Sequence, residues 1–203
     1  MTDFLKRLEI ILGDCREPIP PRFYRTFEDK PFDVCAYCRT SLFVVDTTYT
    51  IAKVYSNGQL QEEIAICRNC QSQMKEGYSA ESLNTLKSIY SQAYLRQRLE
   101  ILYHTNVGED RVTKMLAQCS ICSKPRDEFA TFFEYAMCQG NELVFYTHPN
   151  MVCENCTLQI YESLSEQTKE HKRRFMQEHF GFPPPGSSHQ ESDVEKLYLW
   201  LLG

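Results

Sequence analysis

The chain has no run of 18 apolar residues, no excess of positive charge and no compact catalytic signature. The first lack leaves nothing long enough to cross a bilayer as a helix, so no membrane span is expected. The second weighs against a protein that holds phosphate backbones by charge alone. Lys and Arg number 22 against 27 Asp and Glu, for a formal net charge of −5, which opposes generic attraction to nucleic acid. The third lack is broader. There is no Gly-rich phosphate loop, no Gly-x-Ser-x-Gly elbow and no informatively spaced carboxylate pair. His104, His148, His171, His179 and His189 form no His-x-x-x-His or Glu-x-x-His arrangement. The first ten residues carry charge throughout their apolar stretch and do not resemble a secretory signal. A cytoplasmic protein is expected, where paired cysteines more often hold metal than form disulfides.

Cysteine is what the chain does have. Eight of the ten fall into four Cys-x-x-Cys pairs. Cys35 and Cys38 are followed after 28 residues by Cys67 and Cys70, and Cys119 and Cys122 after 30 residues by Cys153 and Cys156. Two thiolates three apart turn toward one point, and two such pairs complete a tetrahedral shell for a soft cation, most often Zn²⁺. Two structural Zn²⁺ are therefore expected. Counting eight thiolates and two Zn²⁺ carries the formal charge to about −9. Sequential pairing makes each copy self-sufficient in ligands. The rival is cross-bracing, in which Cys35/Cys38 would share an ion with Cys119/Cys122; the internal repeat favours the sequential arrangement.

The repeat extends past the sulfurs. Leu42 to Tyr55, the Asn57-Gly58 turn and Ile64–Ile66 lead to Cys67; Phe129 to Met137, the Gly140-Asn141 turn and Leu143–Tyr146 lead toward Cys153. Asn-Gly or Gly-Asn between β-branched and aromatic residues signals a hairpin. Each second Cys pair is placed to open a helix, where free N–H groups stabilise thiolates. This order resembles a treble-clef zinc finger over about residues 33–77 and again 117–165. The likeness is one of fold, and such modules serve nucleic-acid binding, protein binding and nuclease catalysis alike. Cys15 and Cys138 have no partner at ligand spacing and read as plain thiols.

The expected fold class is α+β: two duplicated modules (33–80 and 117–182), a bridging helix within 81–116, and flanking segments. Residues 1–32 should hold a terminal helix over Thr2–Leu12 and a proline-punctuated surface connector. Residues 183–203 read as a Pro/Ser linker and a short amphipathic helix, opened by a capping box from Ser192 to Glu195. A helix that short must dock, in cis or on a partner.

Candidate partner-binding residues are the basic run Lys169, Lys172, Arg173 and Arg174, and the apolar Leu197, Trp200 and Leu201. Interleaved Glu166, Glu170 and Glu178 make a solvated helix face the plainer reading of the basic run. His148-Pro149-Asn150 invites comparison with HNH nucleases, but Thr147 precedes a histidine that lies late in its hairpin, and no Gly-Gly turn follows. The expected function is non-catalytic: a zinc-stabilised interaction protein with a protein partner. The alternative is a specific DNA- or RNA-binding protein, and the less favoured one an HNH-like nuclease.

Overall fold

The computed structural model describes residues 15–44, 47–104, 111–145 and 149–180. The helices expected over 2–12 and 192–203, with Leu197, Trp200, Leu201 and His148, lie outside the described residues. A short strand β1 (Cys15–Pro18) precedes the first hairpin, β2 (Thr48–Ser56) and β3 (Gln59–Cys67). Asn57 and Gly58 both adopt left-handed φ, at 51° and 76°, the geometry that lets a two-residue turn follow the strand twist. The second hairpin starts with β4 (Thr131–Gln139) and turns at Gly140, φ 55°. Its return is split into β5 (Glu142–Phe145) and β6 (Asn150–Cys153).

These strands form one antiparallel sheet in the order β1-β5-β4-β2-β3, with β6 also on β4. Its centre is where the two repeats meet. Strands β2 and β4 pair along their full length, from Thr48↔Gln139 to Ser56↔Thr131, with Ala52↔Tyr135 at the midpoint. The start of each strand meets the end of its counterpart, so the repeats are related by an approximate two-fold axis through that midpoint. The expectation that the repeats meet through a helix thus lacked the main junction, which is strand pairing. The copies differ at the return strand. A one-residue register shift near Tyr55 suffices for β3, whereas β5 leaves β4 after Leu143 and pairs with β1 before the chain rejoins as β6.

One core spans both repeats, with Tyr49, Ile51, Phe133, Leu143 and Met151 almost fully buried. The proline-rich connector runs along the surface, mostly exposed or half-buried, and is anchored by Ile19 and Phe23, which with the neighbouring Phe32 are buried in the same core. Burying such side chains is worth about 1.5–3 kcal/mol each, enough to override the irregular backbone proline imposes. The connector also supplies polar partners. Lys53 and Glu134 sit directly opposite one another across the central seam, both buried. Lys53 Nζ donates to the Tyr24 carbonyl and pairs with Glu63 at 3.0 Å; Glu134 receives Arg22, and Arg126 at 3.2 Å. Buried charge is tolerated because each group has its own opposite charge and hydrogen bonds.

Among the described residues five α-helices complete the α+β architecture: α1 (Arg68–Lys75), α2 (Ala80–His104), α3 (Arg111–Met115), α4 (Glu154–Glu162) and α5 (Glu166–Phe180). The N-termini of α2 and α5 meet at the pseudo-dyad. Ser79 and Ser165 precede the two helices, and Ser82 and Thr168 lie in their first turns. The Ser79 N–H donates to Thr168 Oγ1 at 3.0 Å, and the Ser165 N–H donates to Ser82 Oγ at 2.9 Å. Each helix is N-capped by its own serine, the Ser82 N–H donating to Ser79 Oγ and the Thr168 N–H to Ser165 Oγ, while a hydroxyl from the other repeat accepts from the capping residue's own N–H.

Each repeat's long helix then covers the other repeat. Phe175 of α5 stacks on Tyr37, between Cys35 and Cys38, at 5.2 Å, and His179 packs edge-on to the same ring at 4.5 Å. Reciprocally, Arg96 of α2 donates to the Ile121 carbonyl at 2.7 Å and lies 3.0 Å from Ser123 Oγ. Each repeat supplies its own sulfurs and takes part of its packing from the other.

Candidate metal centres

Both sites are assembled by the same backbone devices. The first pair of each sits on a tight loop: the Cys35 N–H donates to the Thr40 carbonyl at 2.9 Å and Arg39 N–H to Cys35 O at 3.0 Å. At the second site Cys119 N–H donates to Lys124 O at 2.9 Å and Ser123 N–H to Cys119 O at 2.8 Å. Arg39 and Ser123 both take φ 60°, the left-handed step that curls the loop around the sulfurs. The second pair of each sits on a strand-to-helix junction. Cys67 and Cys153 end β3 and β6 in extended conformation and immediately precede α1 and α4, with Cys70 and Cys156 in the first turns. Free N–H groups and the positive end of the helix dipole there favour the thiolate form.

Four sulfurs gather in each case. Cys35, Cys38, Cys67 and Cys70 form one group and Cys119, Cys122, Cys153 and Cys156 the other, with all ligand atoms of a group within 4.8 Å of one another. The grouping is sequential; the cross-braced alternative is excluded by these positions. Sulfur separations include 3.8 Å for Cys35–Cys70, 3.8 Å for Cys38–Cys67 and 3.9 Å for Cys122–Cys153. A tetrahedron with Zn–S bonds of about 2.3 Å has an edge of about 3.8 Å, close to these separations, while Cys67–Cys70 at 3.3 Å is tighter and would open slightly around an ion. The Cys67 and Cys153 N–H groups each donate to the sulfur of the first cysteine, Cys35 or Cys119, at 3.4 Å. Such bonds stabilise charge on sulfur. Cys38 and Cys122 are the exposed ligands and the other six are buried, so the two sites have the same orientation to solvent.

The protonation pattern carries the same message. Burial pushes the Cys38 thiol up, but hydrogen bonds from Thr40 and the neighbouring sulfurs outweigh it and hold the pKa down to about 6. Burial raises Cys67 and Cys70. In the second site Cys119 is driven well down by hydrogen bonds from Cys153 and Cys156, whose own values rise, that of Cys153 to about 12. In each site one lowered thiol stands beside two raised ones, a conflict that a bound dication would relieve. The residues fit a four-sulfur metal site, where bound metal would act as a cross-link between loop and helix.

Among the other sequence candidates, Cys138 is a buried thiol with its pKa raised by burial to about 12. The basic run is largely engaged within the fold. Lys172 is buried with its ammonium over the Tyr78 ring at 5.4 Å. Lys169 pairs with Glu166 and Arg173 with Glu170, each at 2.9 Å, and Arg174 is exposed. Sequence reasoning missed the helix exchange, the buried Lys53–Glu134 pair and the role of Tyr37. The in-phase recurrence of Ser79-x-x-Ser82 and Ser165-x-x-Thr168, each 12 residues past Cys67 or Cys153, could have pointed to equivalent helix starts. Compared with known proteins, the chain matches no family model, no curated protein and no solved structure. No helix among the described residues is long and apolar enough to cross a membrane.

Proposed function

We propose that the chain is a non-catalytic, zinc-stabilised interaction protein of two treble-clef-like modules, acting as an adaptor or regulator for another protein. The observation that carries this reading is that each cluster offers four sulfurs to its ion. A four-thiolate shell leaves no open position for water or substrate, so the metal serves structure rather than reaction. The intertwined repeats share one sheet and one core, and their exposed polar helix faces suit protein contact. Specific nucleic-acid binding is the weaker reading: the basic run that motivated it has Lys172 buried and Lys169 and Arg173 paired. The test uses protein loaded with two Zn²⁺. Single- and double-stranded DNA and RNA are titrated across a salt series and assayed for cleavage with added Mg²⁺. The proposal expects no cleavage and no tight, salt-steep binding. Binding that weakens steeply with salt would favour the nucleic-acid reading, and cleavage lost in His148→Ala would favour the nuclease.

A further inference from the structure

In each sulfur cluster one ligand alone faces solvent, Cys38 in the first and Cys122 in the second. The two are equivalent in the repeat but differ in what touches them. The Thr40 hydroxyl lies 3.3 Å from Cys38 Sγ. A metal-bound thiolate has no proton to give, so there the hydroxyl donates and ties up a sulfur lone pair. At the place of Thr40 the second repeat has Lys124. Among the described residues the sole hydrogen-bond partner of Cys122 Sγ is Cys153 Sγ, at 3.9 Å. The loop around Cys38 is also screened by rings, since Tyr37 carries Phe175 at 5.2 Å and His179 at 4.5 Å. Ile121 takes the place of Tyr37 beside Cys122, and there α2 reaches the loop backbone through Arg96. Access and nucleophilicity, which together set the reactivity of a cysteine, therefore both favour Cys122.

We propose that Cys122 is an oxidation site, at which a hydroperoxide converts the second cluster to a Cys122–Cys153 disulfide and releases its metal. This rests on the zinc centres of the function proposed above and adds a class of reactant to them. The Cys122 sulfur attacks the terminal peroxide oxygen and the O–O bond breaks. The departing alkoxide takes a proton to become an alcohol, and the sulfur is left as a sulfenic acid. Cys153 Sγ, 3.9 Å away, then attacks the Cys122 sulfur. An S–S bond forms, and the hydroxide that leaves takes a proton to become water. Two thiolates, one hydroperoxide and two protons thus give one disulfide, one alcohol and one water. Cys119 and Cys156 alone do not complete a four-sulfur shell, so the ion is lost. Cys153 closes β6, which pairs with β4, so oxidation loosens the central sheet as well as the cluster.

The test takes the full-length protein, measures its zinc content, adds hydrogen peroxide and stops the reaction early. A chromogenic chelator follows zinc release, and peptide mass spectrometry maps the first cysteines oxidised. The first product should be Cys122–Cys153, with Cys38 reacting roughly tenfold more slowly, the factor one hydrogen bond of ordinary strength supplies. Thr40→Val keeps the shape of the side chain and should speed Cys38 by about that factor. Lys124→Thr sets a hydroxyl at the equivalent place and should slow Cys122. Both variants keep every ligand, so zinc content before treatment stays that of the wild type. Oxidation of Cys38 first, equal rates at the two sulfurs, or a Cys38 rate indifferent to Thr40→Val overturns the proposal. Protein that holds no zinc at the outset overturns the zinc-stabilised reading and this proposal together.

Discussion

Lys172 gives the structure a pH dependence whose sign and size can be worked out. Its side chain is buried in α5, with the ammonium over the Tyr78 ring, and burial followed by repulsion from Lys75 lowers its pKa from 10.5 to about 7. In the unfolded chain the amine returns to its ordinary value of about 10.4. Between those values the unfolded chain holds a proton that the folded chain has lost, so stability rises with pH across that window. Below about 7 both states are charged, and the folded one bears the cost of holding a buried ammonium. The lowering corresponds to a destabilisation on the order of 5 kcal/mol at low pH. Lys172→Met removes the charge while keeping an unbranched apolar side chain. Urea midpoints of zinc-loaded protein at pH 6.5, 7.5, 8.5 and 9.5 measure the effect. Wild type should gain stability over this range, while Lys172→Met should be flatter and more stable at pH 6.5, the two converging at high pH. The range stops before pH 10 because Tyr49, Tyr78 and Tyr135 have raised pKa values from burial. They ionise first in the unfolded chain and reverse the slope. A Met variant less stable than wild type at pH 6.5, or a wild type indifferent to pH, would refute the reasoning.

Cys153→Ser should cost the protein both metal ions, because its strand pairs with β4 and β4 forms the seam with β2. Structural zinc contributes about 10–16 kcal/mol in finger peptides, comparable to a whole domain's stability of about 5–15 kcal/mol; native mass spectrometry retaining one zinc per chain would contradict this coupling. Gly77→Ala should destabilise by about 1–3 kcal/mol, since a Cβ there would lie 2.2 Å from the His171 ring, which contacts the Met74 carbonyl at 2.9 Å. Adding His171→Ala should recover part of that loss in thermal melts. Ser82→Ala removes the acceptor of the Ser165 N–H and should lower stability by about 1 kcal/mol, with slowed amide exchange at Ser165 lost.

How much of this was legible depended on whether the signal was local. The ligand sets, both hairpins and the helix starts after Cys67 and Cys153 are written in spacings of a few residues, and the sequential grouping followed from the repeat. The split of the second return strand was not legible: Leu143 to Cys153 reads as one apolar approach, and only β1 pairing with β5 shows why it divides. Lys53 and Glu134 interrupt their strands with charge, and although Glu63 lies opposite Lys53 in its own hairpin and Arg126 lies just before β4, the partners Tyr24 and Arg22 come from the distant connector. The union of β2 with β4 and the exchange of α2 and α5 are long-range facts. No periodicity within either repeat encodes which copy a helix face will cover. Lys172 shows the consequence: in sequence it belongs to a charged surface run, but in the fold it meets Tyr78 of the other repeat.

Two four-sulfur clusters underlie the fold, and the most direct measurement is zinc per chain. Native mass spectrometry of purified protein, with elemental analysis alongside, should find two zinc ions and no disulfides. Chelation should remove both together with loss of the folded state. A metal-free chain that keeps its fold, or one with Cys35–Cys70 and Cys119–Cys156 oxidised to disulfides, would contradict it.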